Sequence, residues 1–385
     1  MSTSPSRLLQ RIRQLIATPS VSSVSPQFDQ SNRPVIDLLA GWLEEAGFAV
    51  RIEPLPDRPD RANLVATLGS GPGGLVLAGH TDTVPFDAGR WHFDPFGGIE
   101  ADGRIYGLGS ADMKSFLALA LTAAQEFTPG ALRRPLVIVA TADEESTMAG
   151  ARALAAAGQP LGRHAVIGEP TGLKPVRMHK GILMEAIRLE GRSGHSSNPA
   201  LGVSALEGMH RVIGELLQWR AELQARYRNP LFEVAGPTLN LGRIHGGDNP
   251  NRICADCELH IDIRPLPGLT LAELREALHR RLGQLLADSG LSLSFQALFP
   301  GVEALETPAT ATIVQAAEEL TGAPAGVAGF GTEGPFFNAL GMETVILGPG
   351  SVDCAHQPDE YLPLAAIPQT LSVLQALIGR FCLQG

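Results

Sequence analysis

The sequence predicts an α/β protein: a mostly parallel sheet covered on both faces by helices, with a smaller β-α-β-β-α-β unit inserted in it. Three observations carry this. Short continuous apolar runs at 75–78, 136–140 and 165–167 alternate with helical stretches, the pattern of parallel strands buried on both faces. That pattern changes near residue 180 and returns after residue 298. A chain of 385 residues also exceeds the ~250–300 over which one core keeps growing, so two units are expected.

Taken in order, Leu8, Leu9, Ile12, Leu15 and Ile16 recur at helical spacing and predict an opening amphipathic helix. The early serines and three arginines of this stretch loosely resemble a transit peptide, but no apolar run of secretory type accompanies them. Helices are predicted at 113–127 and 149–157. From 180 to 298 the reading is strand 182–189, helix 203–226, strands 238–244 and 258–263, helix 271–287 opened by the capping residue Thr270, and strand 291–296. This is the order of a ferredoxin-like sandwich. A helix at 309–320 and a strand at 344–347 resume the first pattern. The expected domains are therefore 1–179 joined to 299–385, and an inserted 180–298.

Composition narrows the function. The net charge of -10 argues against nucleic acid or an anionic membrane as the main partner. No uncharged apolar run approaches the ~20 residues of a bilayer span. The four cysteines are not needed to staple a chain of this size, so reduced thiols and a cytoplasmic location are expected.

The chemistry gathers past the carboxyl ends of predicted strands, where open parallel sheets bind ligands. The run from Leu75 leads into His80-Thr81-Asp82, that from Leu136 into Asp143-Glu144-Glu145, that from Ala165 into Glu169, and that from Thr344 towards His356. Asp112 stands just before the helix at 113. Singly, each has an ordinary reading: a surface histidine, an N-cap, a solvated acid pair. Together they describe a nitrogen/oxygen metal site of the kind that suits Zn, Co or Mn. His80 and Asp82 leave an extended segment on the same side, so Asp82 can accept the spare ring N–H of His80. Glu144 and Glu145 diverge, so one can bind metal while the other serves as base. Asp112 is placed to bridge two metals.

Weaker motifs fall away. The glycine-rich 69–74 precedes a strand and opens no helix, so it is not a dinucleotide loop. Ser196 and Ser197 lack a nucleophile elbow. Cys254 and Cys257 have no second pair and read as reduced residues beside a strand.

The segments at 80–85, 94–96, 107–114, 142–145, 168–171, 194–197 and 350–356 resemble the two-zinc aminoacylase/carboxypeptidase-type amidohydrolase family. The segments 246–253 and 355–361 resemble its acetylornithine-deacetylating branch. The resemblance implies a metallohydrolase domain that holds two divalent metals, zinc first and cobalt acceptable. His80, Asp112 and Glu169 would hold one metal, and Asp112, Glu145 and His356 the other. Asp82 would orient His80 and Glu144 would be the general base. The inserted domain would form a homodimer across which His195 stabilises the oxyanion. Asn251 and Arg264 would meet the substrate carboxylate, and Glu333 is a candidate partner for an ornithine ammonium. The implied reaction is hydrolysis of N2-acetyl-L-ornithine to ornithine and acetate, a step of arginine biosynthesis. An acetylcitrulline deacetylase, a desuccinylase or a dipeptidase would share these ligands. A catalytically dead metal or amino-acid binder is the non-enzyme alternative, against which the free acid Glu144 argues.

Overall fold

The structure, a computed structural model, describes residues 5–383; residues 1–4 of the serine-rich start lie outside them. The chain divides into two compact units, Met1–Arg177 with Thr307–Gly326 and Thr332–Gly385, and Met178–Glu306 with Val327–Gly331. Compared with the boundaries read from sequence, the second unit also takes in 178–179, 299–306 and 327–331.

The first unit opens with α1 (Pro5–Ile16) and α2 (Arg33–Glu45), then β1 (Ala49–Leu55), β2 (Arg58–Leu68) and β3 (Leu75–His80). The hairpin β4 (Ile99–Ala101) and β5 (Arg104–Tyr106), α3 (Lys114–Ala124), β6 (Leu136–Thr141), α4 (Ala149–Ala157), β7 (His164–Ile167) and β8 (Val176–His179) follow. The second unit consists of β9 (Leu183–Glu190), α5 (Ala205–Arg226), β10 (Thr238–Gly246), β11 (Asp256–Arg264), α6 (Leu271–Leu286), β12 (Ser292–Ala297) and β13 (Leu305–Glu306). The chain then supplies α7 (Thr312–Thr321), β14 (Gly326–Ala328), α8 (Gly334–Ala339), β15 (Glu343–Ile346), β16 (Tyr361–Pro363) and α9 (Ala366–Ile378).

In the first unit the strands run β1-β2-β6-β3-β7-β15-β8. The central four, β6, β3, β7 and β15, are parallel. Every residue of β3, β6 and β7 is buried, which explains their unbroken apolar runs. The edges are antiparallel, through the β1–β2 hairpin and its pairing to β6, and through β8. Helix α3 is buried along its whole length and packs on β3, α1 and α9. In α1, Leu8, Ile12, Leu15 and Ile16 are buried, the stripe their spacing dictates. α9 with its following turn reaches the length and apolar composition of a membrane span. Its Val373, Leu374, Leu377 and Ile378 are nevertheless buried in the unit's core.

In the second unit four antiparallel strands lie in the order β10-β11-β9-β12, the ferredoxin-like order. Alternate residues of β11 are buried, and Leu259, Ile261 and Ile263 pack with Val212 and Leu216 of α5 and Leu278 and Leu282 of α6. Thr270 and Glu273 form a reciprocal capping box at the start of α6. Residues 299–306 belong here because β13 pairs with the end of β8, Leu305 opposite His179 and Glu306 opposite Met178.

The end of β7 is pinned against α3. Gly168 lies under the Phe116 ring, and a Cβ added there would fall inside that ring. Gly168→Ala should therefore destabilise the fold by roughly 1–3 kcal/mol through overpacking. Urea unfolding measures this; an unchanged midpoint would mean α3 yields freely at this point.

Candidate metal centre and active site

The four parallel strands end side by side, and each ends in a ligand-type residue. His80 closes β3, Glu144 and Glu145 follow β6, Glu169 follows β7, and His356 lies in the segment after β15. Asp112 immediately precedes the N-terminal turn of α3. Three groups of these side chains each converge within 4.8 Å: His80, Asp112 and Glu169; Asp112, Glu145 and His356; and His80, Glu144 and Glu145. The Asp112 carboxylate stands between the histidines, Oδ1 3.0 Å from His80 Nε2 and Oδ2 3.4 Å from His356 Nε2. His356 Nε2 is also 3.0 Å from Glu145 Oε1, and His80 Nε2 is 4.0 Å from Glu169 Oε2.

These contacts test whether the site fits a metal. His80 Nδ1 lies 3.0 Å from the Asp82 backbone carbonyl, an acceptor, so Nδ1 carries the proton. In the neutral ring the Nε2 lone pair then faces carboxylate lone pairs. Only a cation or a second proton between them makes that arrangement favourable. Glu169 Oε1 is buried without a hydrogen-bond partner among the described residues. Two imidazoles and several carboxylates form the donor set of a divalent cation such as zinc, cobalt or manganese.

Electrostatics say the same. Burial pushes the carboxyls of Glu144 and Glu169 well above the ordinary range and raises Glu145 too, with the neighbouring acids adding to it. Burial opposes the imidazolium of His80, but its Asp112 contact and the charges of Glu169 and Glu144 outweigh it and raise its pKa. His356 is raised to about 10 by Asp112 and Glu145. Asp112 alone is lowered: both histidines overcome its burial. Glu144 accepts no hydrogen bond through its carboxylate among the described residues and stands beside His80 and Glu145.

Three expectations need correction. The Asp82 carboxylate does not accept the His80 ring proton: Oδ1 is 3.8 Å away, and the Asp82 backbone carbonyl takes that bond. The carboxylate instead accepts the backbone N–H groups of Glu144 and Glu145, at 3.2 and 3.1 Å, donors the turn after β6 would otherwise leave unpaired. Asp82 thus fixes the turn that carries Glu144 and Glu145. Second, Glu333 has no exposed surface to offer a substrate. It is fully enclosed at the start of α8, and burial raises its carboxyl to about 7 against the pull of the Thr141 hydroxyl and His80. Third, Asn251 and Arg264 of one chain cannot meet the same carboxylate. Arg264 ends β11, while Asn251 lies before its start; at ~3.4 Å per residue the strand between spans roughly 27 Å. Arg264 is held side-on by Asp262, Nε to Oδ1 at 2.9 Å and Nη2 to Oδ2 at 3.1 Å. Asn251 lies beside His195 instead, its carbonyl accepting the Ser196 N–H at 3.1 Å.

His195 is exposed, and its Nδ1 accepts the Ser197 N–H at 3.2 Å, which leaves the ring proton on Nε2. One cluster escaped the sequence reading. Arg61 is wholly buried, pairs with Asp29 and Asp143, and donates to Ser22 Oγ at 3.2 Å. It anchors Asp143, next to Glu144, in a left-handed conformation at φ 58°. An arginine opening an apolar strand stretch at 61–66 is the only trace of it in the sequence.

Comparison with known proteins agrees with this geometry. Residues 76–380 match the model of peptidase family M20/M25/M40, and the chain belongs to that family. It is 50% identical to an acetylornithine deacetylase of Edwardsiella ictaluri over 382 residues, 99% of this chain and 100% of that one. It is 51% identical to an acetylornithine deacetylase of Proteus mirabilis over 96% of each chain. The fold resembles a tripeptidase from Staphylococcus aureus (TM-score 0.74, 20% identity, 99% of each chain). It also resembles a dinuclear metal-binding M20 peptidase from Bacillus subtilis (TM-score 0.69, 16% identity, 98% of each chain).

The raised groups predict how metal removal depends on pH. His80, His356, Glu144, Glu145 and Glu169 hold protons more tightly when folded. Their contribution to stability is complete below their ordinary pKa values and is lost as pH rises through the folded ones. Asp112 runs the other way, and its contribution is lost only in acid. Metal-stripped protein should therefore lose stability between about pH 6.5 and about pH 10, the span over which His356 gives up its proton, and the melting gap to metal-loaded protein should widen. Calorimetry of both forms measures the gap; a gap that narrows would contradict the crowding of acids at this site.

Proposed function

We propose that the chain hydrolyses N2-acetyl-L-ornithine to L-ornithine and acetate at this centre, with two divalent cations, zinc by preference and cobalt as a substitute. One observation carries the reaction class: Asp112 stands between His80 and His356 while the Glu144 carboxylate remains beside them with no hydrogen-bond donor among the described residues. The substrate follows from the acetylornithine deacetylases to which nearly the whole chain is half identical.

His80, Asp112 and Glu169 would hold one cation and Asp112, Glu145 and His356 the other, and the pair would supply the Lewis acidity that makes a water nucleophilic and an amide carbonyl electrophilic. Glu144 takes the proton of the attacking water and returns it to the departing amine. Arg264, oriented by Asp262, presents its remaining N–H donors to the α-carboxylate. The distance between Asn251 and Arg264 supports a homodimer in which the partner subunit's His195 and the partner subunit's Asn251 complete the site. His195 Nε2–H is then the donor to the oxyanion. The four cysteines are free, which suits a reducing cytoplasm.

Glu144→Ala should keep its metal while turnover falls at least ~10²-fold. A panel of acylated amino acids should rank acetylornithine first; a clear preference for succinyl-diaminopimelate or a dipeptide would replace the substrate. Retained turnover in the variant would remove Glu144 as base.

The shared site has its own test. Co-expressing the inactive variants Glu144→Ala and His195→Ala should restore about a quarter of wild-type activity, because half the dimers then carry one intact site of two. No recovery in verified mixed dimers would show that His195 does not act across subunits.

A further inference from the structure

We infer that Glu360 is a positioning residue that sets where the Asp112 carboxylate stands. The inference rests on the two-metal reading above. Glu360 is 1% exposed, and its carboxylate faces one loop. Oε1 accepts the backbone N–H of Ala111 at 2.7 Å and of Asp112 itself at 3.0 Å, and Oε2 accepts that of Gly109 at 3.2 Å. The Gly107 N–H adds a fourth bond, 2.9 Å to the Glu360 carbonyl. A single residue thus takes four donors from the segment 107–112.

The loop needs such a partner. Gly109 is left-handed at φ 80°, and a Cβ there would crowd Lys114 Cε at 2.7 Å and Thr83 Cγ2 at 2.9 Å. Its N–H groups turn inwards together and form a nest that binds an anion. Those donors are enclosed away from water, so an acceptor must be built in. The carboxylate of Asp112 meanwhile points to His80 and His356. Moving the loop would therefore move the bridge.

Glu360 also couples two ligands. His356 stands four residues before it. Between them, Asp359 accepts the backbone N–H groups of His92 and Phe93, at 2.8 and 3.1 Å. Tyr361 then pairs with Tyr106 in the β16–β5 ladder. The segment is tied down on both sides, and the 3.4 Å between Asp112 and His356 depends on it. Glu360 belongs to none of the ligand groups and has no open path to substrate, so its effect passes through Asp112.

Glu360→Gln tests this with cobalt as the probe. An amide keeps one acceptor but turns an NH2 towards the loop's donors. The variant should bind its second Co(II) about 10–100-fold more weakly, the usual effect of losing a group that orients a ligand. Its visible Co(II) absorption should change, and kcat should fall with KM near the wild-type value. Glu343→Gln is the comparison: Glu343 accepts the Thr312 N–H and hydroxyl at 3.1 and 2.9 Å outside the ligand groups, and its loss costs stability alone. Wild-type cobalt affinity and spectrum in Glu360→Gln, or the same spectral change in Glu343→Gln, would overturn the inference. Should Glu360→Gln fail to fold, Glu360→Asp, which keeps the charge with a shorter reach, is judged by the same two outcomes. Wild-type protein that binds two Co(II) but ignores acetylornithine refutes only the substrate. Wild-type protein that binds fewer than two refutes the two-metal reading and this inference together.

Discussion

Four acids of the centre, Asp112, Glu144, Glu145 and Glu169, are linked through overlapping groups with His80 and His356 in a largely buried site. Glu333 and Glu360 are enclosed behind them. Like charges this close cannot all stay ionised in a low-dielectric site unless cations are among them. The protein's own cations are few here. Lys114 is fully buried at the start of α3, bonded to the Thr18 carbonyl at 3.0 Å, and burial lowers its pKa to about 7. Arg61 is spent on Asp29 and Asp143. The crowding is therefore a standing demand for divalent cations, and the rigid elements around it serve to keep the demand unmet by collapse.

That rigidity comes from the sheet and from backbone amides. The central strands are buried on both faces, so their carboxyl ends cannot drift without opening the core. The loops beyond them are held by carboxylates that accept main-chain N–H groups: Asp82 for the Glu144–Glu145 turn and Glu360 for the loop before Asp112. Main-chain donors have a fixed direction, which a flexible side-chain partner lacks. Such bonds add ligand geometry without adding another titrating cation to the site.

How much of this could be read from sequence follows from what each feature depends on. His80, Glu145 and Glu169 were legible because each stands at the end of an apolar run, and the run itself announces a buried strand. The ferredoxin-like order was legible because amphipathic helices and alternating strands are local patterns. Glu360 was visible only as part of a motif. Its partners are about 250 residues away along the chain, and nothing local says that the second acid of Asp359-Glu360 will close a loop at Gly109. Asp82 was given the wrong partner because side-chain alternation places it beside His80 but is silent about the neighbouring β6 turn. The unit boundary moved because two residues, Leu305 and Glu306, extend a strand pairing too short to show a period. The depth of Glu333 was not legible, because an acid in sequence carries no sign that the start of α8 encloses it.

The second unit supplies a different kind of constraint, one of length. The β10–β11 ladder runs from Thr238 opposite Arg264 to Gly246 opposite Cys257. A strand is close to inextensible, so its two ends keep their distance whatever the loops do. His195 and Asn251 gather near one end, and Arg264 stands at the other. A substrate the size of an acylated amino acid is far shorter than this ladder. If both ends are to act on one such molecule, they must come from two copies of the chain. The Asp262 pair fits that arrangement: it fixes Arg264 through Nε and Nη2 and leaves Nη1 free among the described residues. The guanidinium is thus held in one orientation by a carboxylate of its own strand.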